Sequence, residues 1–487
     1  MSIFKDRDEF DLTEGGIARP LFFLSLPIVV TNLMQTAYNL ADTFWVGQYN
    51  TEALAAISFA FPMVFLLISL GMGISVAGSV LVAQHTGAGE EREAEYAASQ
   101  TVTFAVLLSV VFGVAGYFLV GPLLDLMGAS PGVLPRATGY MQVISLGLVF
   151  MFGFLVFVSL MRGYGDTITP MLVMFGSVVL NIVLDPFLIF GFDDNPLFGM
   201  LGARALESTL LAATGYTGSG LVGAGVATVF SRSLALVVGL AIMFQGTRGV
   251  QINAGDMAPD FEYLRRLLEI GVPASIEGTG RSVSVNLMLF IIGMFPTTVV
   301  AGYGIGVRVF SVVFMPAIAV ARGVETMSGQ NIGAGKEDRA AAANHFAAKA
   351  MFVLLSLVGV VTWVAAGPIV DVFTNDPEVV ESGATFLRFV APSFGFIGVM
   401  RAYTGGFRGA GKTMIAAAVS IIMLGIVRLP AAWILSQTLN LGSPGVWLSF
   451  GISNVVGAVV AYLWFGRETW RDADLTDRGA NAAGADD

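Results

Sequence analysis

Cysteine is absent from these 487 residues, which excludes disulfides, thiol catalysis and cysteine-bound zinc or iron–sulfur centres. Histidine occurs only twice, too few for most imidazole-based metal sites. Lysine is scarce too: Lys5, Lys336, Lys349 and Lys412 are its occurrences among 25 Lys and Arg. At a formal net charge of −10, the chain lacks the basic patch that nucleic-acid binding requires. Charge of either sign is sparse, 12% of residues, against about 25% in a typical soluble domain. A soluble protein of this length would need more charge to wet its surface. What is present instead is apolar: 55% of residues are hydrophobic and the mean hydropathy is +0.77. The composition predicts an all-α polytopic membrane protein whose one certain partner is the lipid bilayer.

Residues 1–18 are polar and charged, without the apolar core or small-residue cleavage site of a leader peptide. We expect the first helix to direct insertion. A window of about 20 residues finds twelve apolar segments, at 20–46, 53–83, 94–120, 138–160, 168–190, 221–245, 262–294, 299–329, 340–366, 380–403, 412–437 and 444–466. The loops on the side of the N-terminus, with the two tails, hold about 15 of the Lys and Arg; the opposite loops hold about three, Arg136, Arg204 and Arg388. The positive-inside rule then predicts cytoplasmic termini in a multi-pass protein of the cell membrane.

The chain repeats itself. A shift of 246 residues aligns Arg19 with Arg265, Pro27 with Pro273, and Gln84, Gly87 and Gly89 with Gln330, Gly333 and Gly335. The same shift brings Arg162-Gly163-Tyr164-Gly165-Asp166-Thr167 onto Arg408-Gly409-Ala410-Gly411-Lys412-Thr413. Gly225-Val226 meets Gly445-Val446 at a shift of 220, so the first repeat carries 26 extra residues within about 191–220. Six helices per repeat start both repeats on one membrane face. Twelve transmembrane helices therefore form two parallel six-helix bundles, related by a pseudo-two-fold axis along the membrane normal, as in transporters. The expected organisation is an N-terminal segment 1–18, a bundle 19–246, a linker 247–261, a second bundle 262–466 and an acidic tail 467–487.

Two motifs have plain readings. Gly406 to Thr413 matches a phosphate-binding loop, but that loop works between a strand and a helix; here it joins two apolar segments, and its repeat partner has Asp166 in place of Lys412. No nucleotide is expected. The paired Gln-x-x-Gly-Ala-Gly turns at Gln84 and Gln330 read as hinge or packing points, and His85 and His345 beside them are not expected to be ligands.

Acids inside the membrane carry more information, because an Asp at the centre of a membrane helix costs about 2.5–3.5 kcal/mol on insertion scales. The first segment holds Thr31, Gln35, Tyr38, Asn39 and Asp42 at spacings of three and four, a polar stripe that would face a cavity. The fifth holds Asn181 and Asp185 one turn apart, followed by Pro186, which frees a backbone carbonyl. Asp42 maps onto Met288 and Asp185 onto Ala431 in the second repeat, so the fold itself does not need these carboxylates. The second repeat instead has Glu277 and Arg281 four apart, with Arg308, Arg322, Glu325, Arg401 and Arg428 farther on. Glu277–Arg281 reads as an intrahelical ion pair, while Arg322, Glu325 and Arg401 would snorkel to the cytoplasmic face. Arg428 lies deep, and the sequence names no partner for it.

The double repeat, Pro27 in the first helix, the Gln-x-x-Gly-Ala-Gly turns and the Arg-Gly-x-Gly-Asp-Thr loop resemble multidrug and toxic compound extrusion (MATE) transporters over about residues 15–466, most of all the DinF-like, archaeal-type branch. The resemblance implies a cation site of two aspartates, an asparagine and a threonine in the N-terminal bundle, here Asp42, Asp185, Asn181 and Thr228. A further family asparagine near the end of the fourth helix has no match, since this chain reads Val158-Ser159.

The expected function is antiport. H⁺ or Na⁺ enters from outside and occupies the acids; removing a carboxyl from water favours its neutral form, whereas Na⁺ would use the oxygens of Asp42, Asn181, Asp185 and Thr228. The first helix re-bends at Pro27, and a small organic substrate, cationic and amphipathic, leaves. Gln35, Tyr38, Asn39 and Tyr140 are the cavity candidates, and Glu277, Arg281 and Arg428 the polar candidates of the second bundle. No cofactor and no enzymatic chemistry are expected, and a monomer suffices because two bundles already make a cleft. The alternative is a flippase or exporter of a lipid-linked or anionic solute that uses the arginine-rich second bundle.

Overall fold

The computed structural model describes residues 11–476; the outermost parts of the expected N-terminal segment and acidic tail lie outside the described residues. All regular structure among the described residues is helical. The first repeat opens with α1 (Ala18–Tyr49), α2 (Thr51–Ala88) and α3 (Glu91–Leu126). Next come α4 (Leu134–Leu146) and α5 (Leu148–Tyr164), one span bent by 54°. The bend sits at Gly147, where a Cβ would run into the Val229 side chain of a neighbouring helix. The apolar pattern of 138–160 gave no sign of this break, because a close approach is not a feature of hydropathy. The repeat closes with α6 (Ile168–Phe190), the short α7 (Pro196–Met200) and α8 (Arg204–Thr214), and α9 (Gly220–Gln245).

The second repeat runs α10 (Phe261–Ile292), α11 (Thr297–Gly333), α12 (Glu337–Val364) and the short α13 (Ala366–Asp371). A single span follows, made of α14 (Pro377–Val390) and α15 (Phe394–Gly409) joined by one 3₁₀ turn. The next span starts as α16 (Thr413–Ile421), loosens into π-helical turns over Ile422–Arg428 and Ile434–Thr438 on either side of α17 (Leu429–Trp433), and precedes α18 (Ser443–Phe465). Ten spans are long and apolar enough to cross a membrane, and the bent pair makes an eleventh. The twelfth is α10, with 32 residues like its repeat partner α1; Glu277 and Arg281 lower its hydropathy. The result is a twelve-helix membrane protein of two six-helix bundles.

The 26 extra residues fold onto the outer end of α6. Asn195 is fully buried and donates through Nδ2 to the carbonyls of Pro186 and Gly191, both at 2.8 Å. Glu207 of α8 accepts from the Asn195 backbone and from Arg204. The insertion thus satisfies the carbonyl end of the helix that carries Asp185.

Both ends of the described chain lie on one face, and each crosses to the other repeat. Asn331 Nδ2, at the end of α11, donates to Leu12 O at 3.0 Å; the Leu475 amide donates to Gln84 Oε1, at the end of α2, at 2.8 Å. On this termini face the bundles also grip reciprocally. Gln84 Nε2 donates to Gly409 O at 3.0 Å, and Gln330 Nε2 to Gly163 O at 3.1 Å. The glutamines are 246 residues apart, and so are the glycines. A Cβ on Gly87 would strike the backbone oxygen of Gln330, and one on Gly333 that of Gln84, so glycine is what lets α2 and α11 touch. The termini face is closed.

Candidate functional site

In the first bundle the polar stripe of α1 faces α6 and α9. Asp42 is buried, and Asn181 and Asp185 are wholly buried. Asn181 Nδ2 donates to Asp185 Oδ1 at 3.2 Å, a pair one helical turn apart. Thr228 Oγ1 of α9 lies 2.7 Å from the Tyr38 hydroxyl, which ties α9 to α1. Asp42, Asp185, Tyr38 and Tyr140 lie within electrostatic range of one another. Three buried oxygens here have no hydrogen-bond donor: Asp42 Oδ1, Asp185 Oδ2 and Asn181 Oδ1. A buried acceptor without a donor is costly, and a hard cation or a proton is the species such oxygens suit. No group of three or more His, Asp or Glu side chains is gathered among the described residues.

The acids adjoin a cavity of about 650 Å³. Its walls include Gln35, Tyr38, Asn39, Asp42, Tyr140 and Thr228, with Phe61, Phe65, Phe152 and Phe154 as apolar surface. On α2 the lining runs from Leu54 to Ile68, the half remote from the termini face. Its floor is formed by Arg162 and Thr167 of the first repeat with Ile318 and Arg322 of the second. The cavity is therefore walled by the first bundle, with Ile318 and Arg322 of the second closing its floor above the termini face.

The MatE family pattern matches residues 27–187 and again 273–434, so that its two copies start 246 residues apart, the period of the repeat. The chain belongs to the MatE family. It is a multi-pass membrane transporter and not an enzyme. It is similar to the "Probable multidrug resistance protein YpnP" of Bacillus subtilis, at 27% identity with 96% of this chain and 98% of the relative covered. It is also similar to the "FAD transporter" of Shewanella oneidensis, at 25% identity over 94% of this chain and 96% of the relative. In fold it matches the outward-facing conformation of a multidrug resistance MATE family transporter, with a TM-score of 0.84, 24% identity and coverage of 97% and 100%.

The second bundle of this MatE protein departs from the sequence expectation. Glu277 does not pair with Arg281. Its carboxylate takes a two-pronged contact from Arg408, at 2.6 and 3.2 Å, lies 3.7 Å from Arg401 and accepts from Ser420 Oγ at 2.9 Å. Spacing along a helix cannot show a partner that arrives from α15 and α16. Arg281 instead stacks on Phe314, 5.1 Å from the ring centre. Arg401, expected to snorkel to the membrane face, is buried against the same ring at 4.7 Å. Arg428 does have partners, Ser453 Oγ at 2.8 Å and Asn454 Oδ1 at 2.7 Å, beneath the Phe450 ring. These hydrogen bonds belong to the interior of the bundle, and Glu277, Arg281 and Arg428 stay off the cavity wall.

Two arginines that do line the cavity were missed. Arg232, in the middle of α9, is buried; it donates to Gln35 Oε1 at 2.8 Å and lies over the rings of Tyr38 and Phe154. Arg162 closes α5 and reaches Ser159 Oγ at 3.3 Å, while its Nε has no partner. The rule that singled out Asp42, a lone charge in an apolar run, applies equally to Arg232.

Proposed function

We propose that this MatE protein is a secondary antiporter that exports small organic molecules in exchange for inward H⁺ or Na⁺. The observation that carries the reading is the set of buried oxygens without donors on Asp42, Asn181 and Asp185, beside a first-bundle cavity whose floor the second bundle helps to close. The coupling site then lies in the first bundle, as in the DinF-like, archaeal-type branch. A proton would neutralise a carboxylate; Na⁺ would draw on the oxygens of Asp42, Asn181, Asp185 and Thr228.

The termini face is taken as cytoplasmic, on the distribution of Lys and Arg. Ion entry from the opposite side reaches Asp42 through the cavity. Within α1, Pro27 leaves one backbone hydrogen bond unmade, and Thr31 Oγ1 donates to Pro27 O at 2.8 Å. That turn is where α1 would re-bend as the charge on Asp42 is neutralised, and the bundles would rock open on the termini face once the Gln84–Gly409 and Gln330–Gly163 contacts part. One chain holds both bundles and all the residues that line the cavity, which supports a monomer as the working unit.

A cationic cargo fits the Asp42 end, where an acceptor oxygen is free. A second reading, export of an anionic or lipid-linked solute, is favoured by the arginines on the cavity wall, although of the second-bundle arginines only Arg322 is among them, beside Arg162 and Arg232 of the first bundle.

The test uses proteoliposomes and a fluorescent organic cation under H⁺ and Na⁺ gradients imposed separately. Wild-type transport that follows one gradient and is lost in both Asp42→Asn and Asp185→Asn is the expected result. Transport indifferent to both gradients and to both substitutions would overturn the antiport reading.

A further inference from the structure

The pseudo-symmetry sets two arginines against each other. Arg408 in the second bundle and Arg162 in the first are 246 residues apart, at the ends of α15 and α5. Arg408 is held by a two-pronged contact to the Glu277 carboxylate of α10. The same shift carries Glu277 onto Thr31 of α1, whose hydroxyl turns back onto Pro27 O. Ser420, the other donor to Glu277, maps onto Met174. The first bundle thus repeats the guanidinium without a carboxylate in contact, the nearest acid being Glu325 of the second bundle, which pairs with Arg322; and it is the first-bundle guanidinium that lines the cavity, together with Thr31.

The neighbourhood strengthens the contrast. Arg322 of α11 stands beside Arg162: the Thr326 hydroxyl lies 3.1 Å from Arg162 O and 3.4 Å from Arg322 O. Arg322 is held from behind by Glu325 at 2.9 Å, a carboxylate only 2% exposed, while 17% of the Arg322 side chain faces the cavity. Arg232 adds a third guanidinium on a neighbouring wall, with an amide and two rings as its surroundings. Asp42 is the acid among the lining residues. With Glu325 offsetting Arg322, the wall stays cationic whether Asp42 is ionised or neutral. Guanidiniums bind carboxylates and phosphates through two parallel N–H donors, as Arg408 does here.

We propose that Arg162, with Arg322 across the bundle interface, forms a subsite for a carboxylate or phosphate carried on an apolar body, taking from the cargo the group that Glu277 supplies to Arg408. The phenylalanines higher on the wall, Phe61, Phe65, Phe152 and Phe154, receive the apolar body. The subsite is far from the coupling acids: Thr31 and Asp42 are eleven residues apart on α1, roughly 16 Å at 1.5 Å per residue. Cargo and ion therefore do not compete for one group, and their coupling runs through the bend of α1. This inference rests on the exporter reading above for the direction of transport, but not for binding.

The test is equilibrium binding, by calorimetry, to the full chain in nanodiscs of neutral phosphatidylcholine with no gradient present. The probes are 1-naphthyl phosphate and the matched cation 1-naphthylmethylammonium. Wild type is expected to prefer the phosphate by at least about tenfold, as a charge-assisted two-pronged contact provides. Arg162→Gln and Thr31→Glu, the latter giving the first bundle its own carboxylate, are each expected to remove that preference. Arg162→Lys, which keeps the charge but not the fork, is expected to retain part of it. A second arm adds dioleoyl phosphatidic acid to the nanodiscs: competition with the naphthyl phosphate assigns the group to a lipid headgroup, and lack of competition assigns it to a soluble anion, the subsite standing in either case. Wild-type preference for the cation, or unchanged phosphate affinity in Thr31→Glu and Arg162→Gln, would overturn the proposal. Phosphate binding without gradient-driven transport would leave the subsite standing and sink the antiport reading alone.

Discussion

The two bundles share a plan and treat buried charge in opposite ways. In the second, the Glu277 carboxylate is met by Arg408, Arg401 and Ser420, and Arg428 by Ser453 and Asn454, so that these two deep charges are satisfied, although Arg401 Nε and Glu325 Oε1 keep no partner. In the first, Asp42, Asp185 and Asn181 each keep an oxygen without a donor, and the Arg162 Nε is also without a partner. A satisfied buried pair stabilises one arrangement, and removing either partner strands the other. An unsatisfied buried group instead favours whatever species can complete it. On the proposed antiport reading, the free carboxylate oxygens of Asp42 and Asp185 are the groups that bind and release, and the Glu277 cluster holds shape.

That comparison can be broken in several places. The largest effect is expected at the first-bundle acids: Asp185→Asn or Asp42→Asn should reduce gradient-driven export to the level of protein-free liposomes while leaving the melting temperature at or above that of wild type. Glu277→Gln should do the reverse to stability. It leaves the buried guanidiniums of Arg408 and Arg401 without their carboxylate, a loss of about 3–5 kcal/mol for a broken buried pair, read as a clear drop in melting temperature in detergent. Equal destabilisation by all three substitutions would erase the proposed division of labour.

Closure of the termini face is where the bundles should behave alike. Gly87→Ala and Gly333→Ala each push a methyl group against the backbone of the opposite helix, and both should open that face to a similar degree. The chain has no cysteine of its own, so a single Ala83→Cys, at a position 1% exposed, reports the opening by its rate of reaction with a water-soluble maleimide. Fast labelling from one substitution only would show that the grip is less symmetric than its hydrogen bonds.

The smallest effect concerns the linker between the bundles. Asp256 accepts two hydrogen bonds from Arg92, which hold its carboxyl below the ordinary carboxylate range. A depressed value contributes stability above the unfolded-state value of about 4, and that contribution disappears as pH falls through the folded-state value. Because the pair is exposed, the effect is modest. Acidification below that window should lower the melting temperature of wild type slightly more than that of Asp256→Asn.

Much of this was legible in the sequence, and the reason differs from part to part. The spans emerge from hydropathy because the bilayer core admits few polar groups, and even 168–190 coincides with α6 (Ile168–Phe190). The doubling emerges because matched positions such as Gln84 and Gln330 serve one symmetric closure. Asp42 and Asp185 stand out because a carboxylate inside a membrane is rare without a reason. Partners were not legible. Glu277 has Arg281 one turn away, yet binds Arg408, which is 131 residues distant; local spacing favoured a contact that tertiary packing overrode. Nor did the apolar pattern mark Gly147, where the span bends and the Val229 side chain packs close. Arg162 lay inside a turn motif repeated at Arg408, and the 246-residue shift that sets Thr31 against Glu277 was there to read, but its place on the cavity wall is visible only in the packed structure.

The most direct test of the contrast between bundles is difference infrared spectroscopy of the carboxyl C=O band on purified protein, recorded while H⁺ or Na⁺ concentration is stepped. The account predicts an ion-dependent carboxyl signal in wild type that is lost in Asp185→Asn or Asp42→Asn and persists in Glu277→Gln. A signal that survives both first-bundle substitutions and vanishes in Glu277→Gln would contradict it, moving the coupling site to the bundle assigned here to structure.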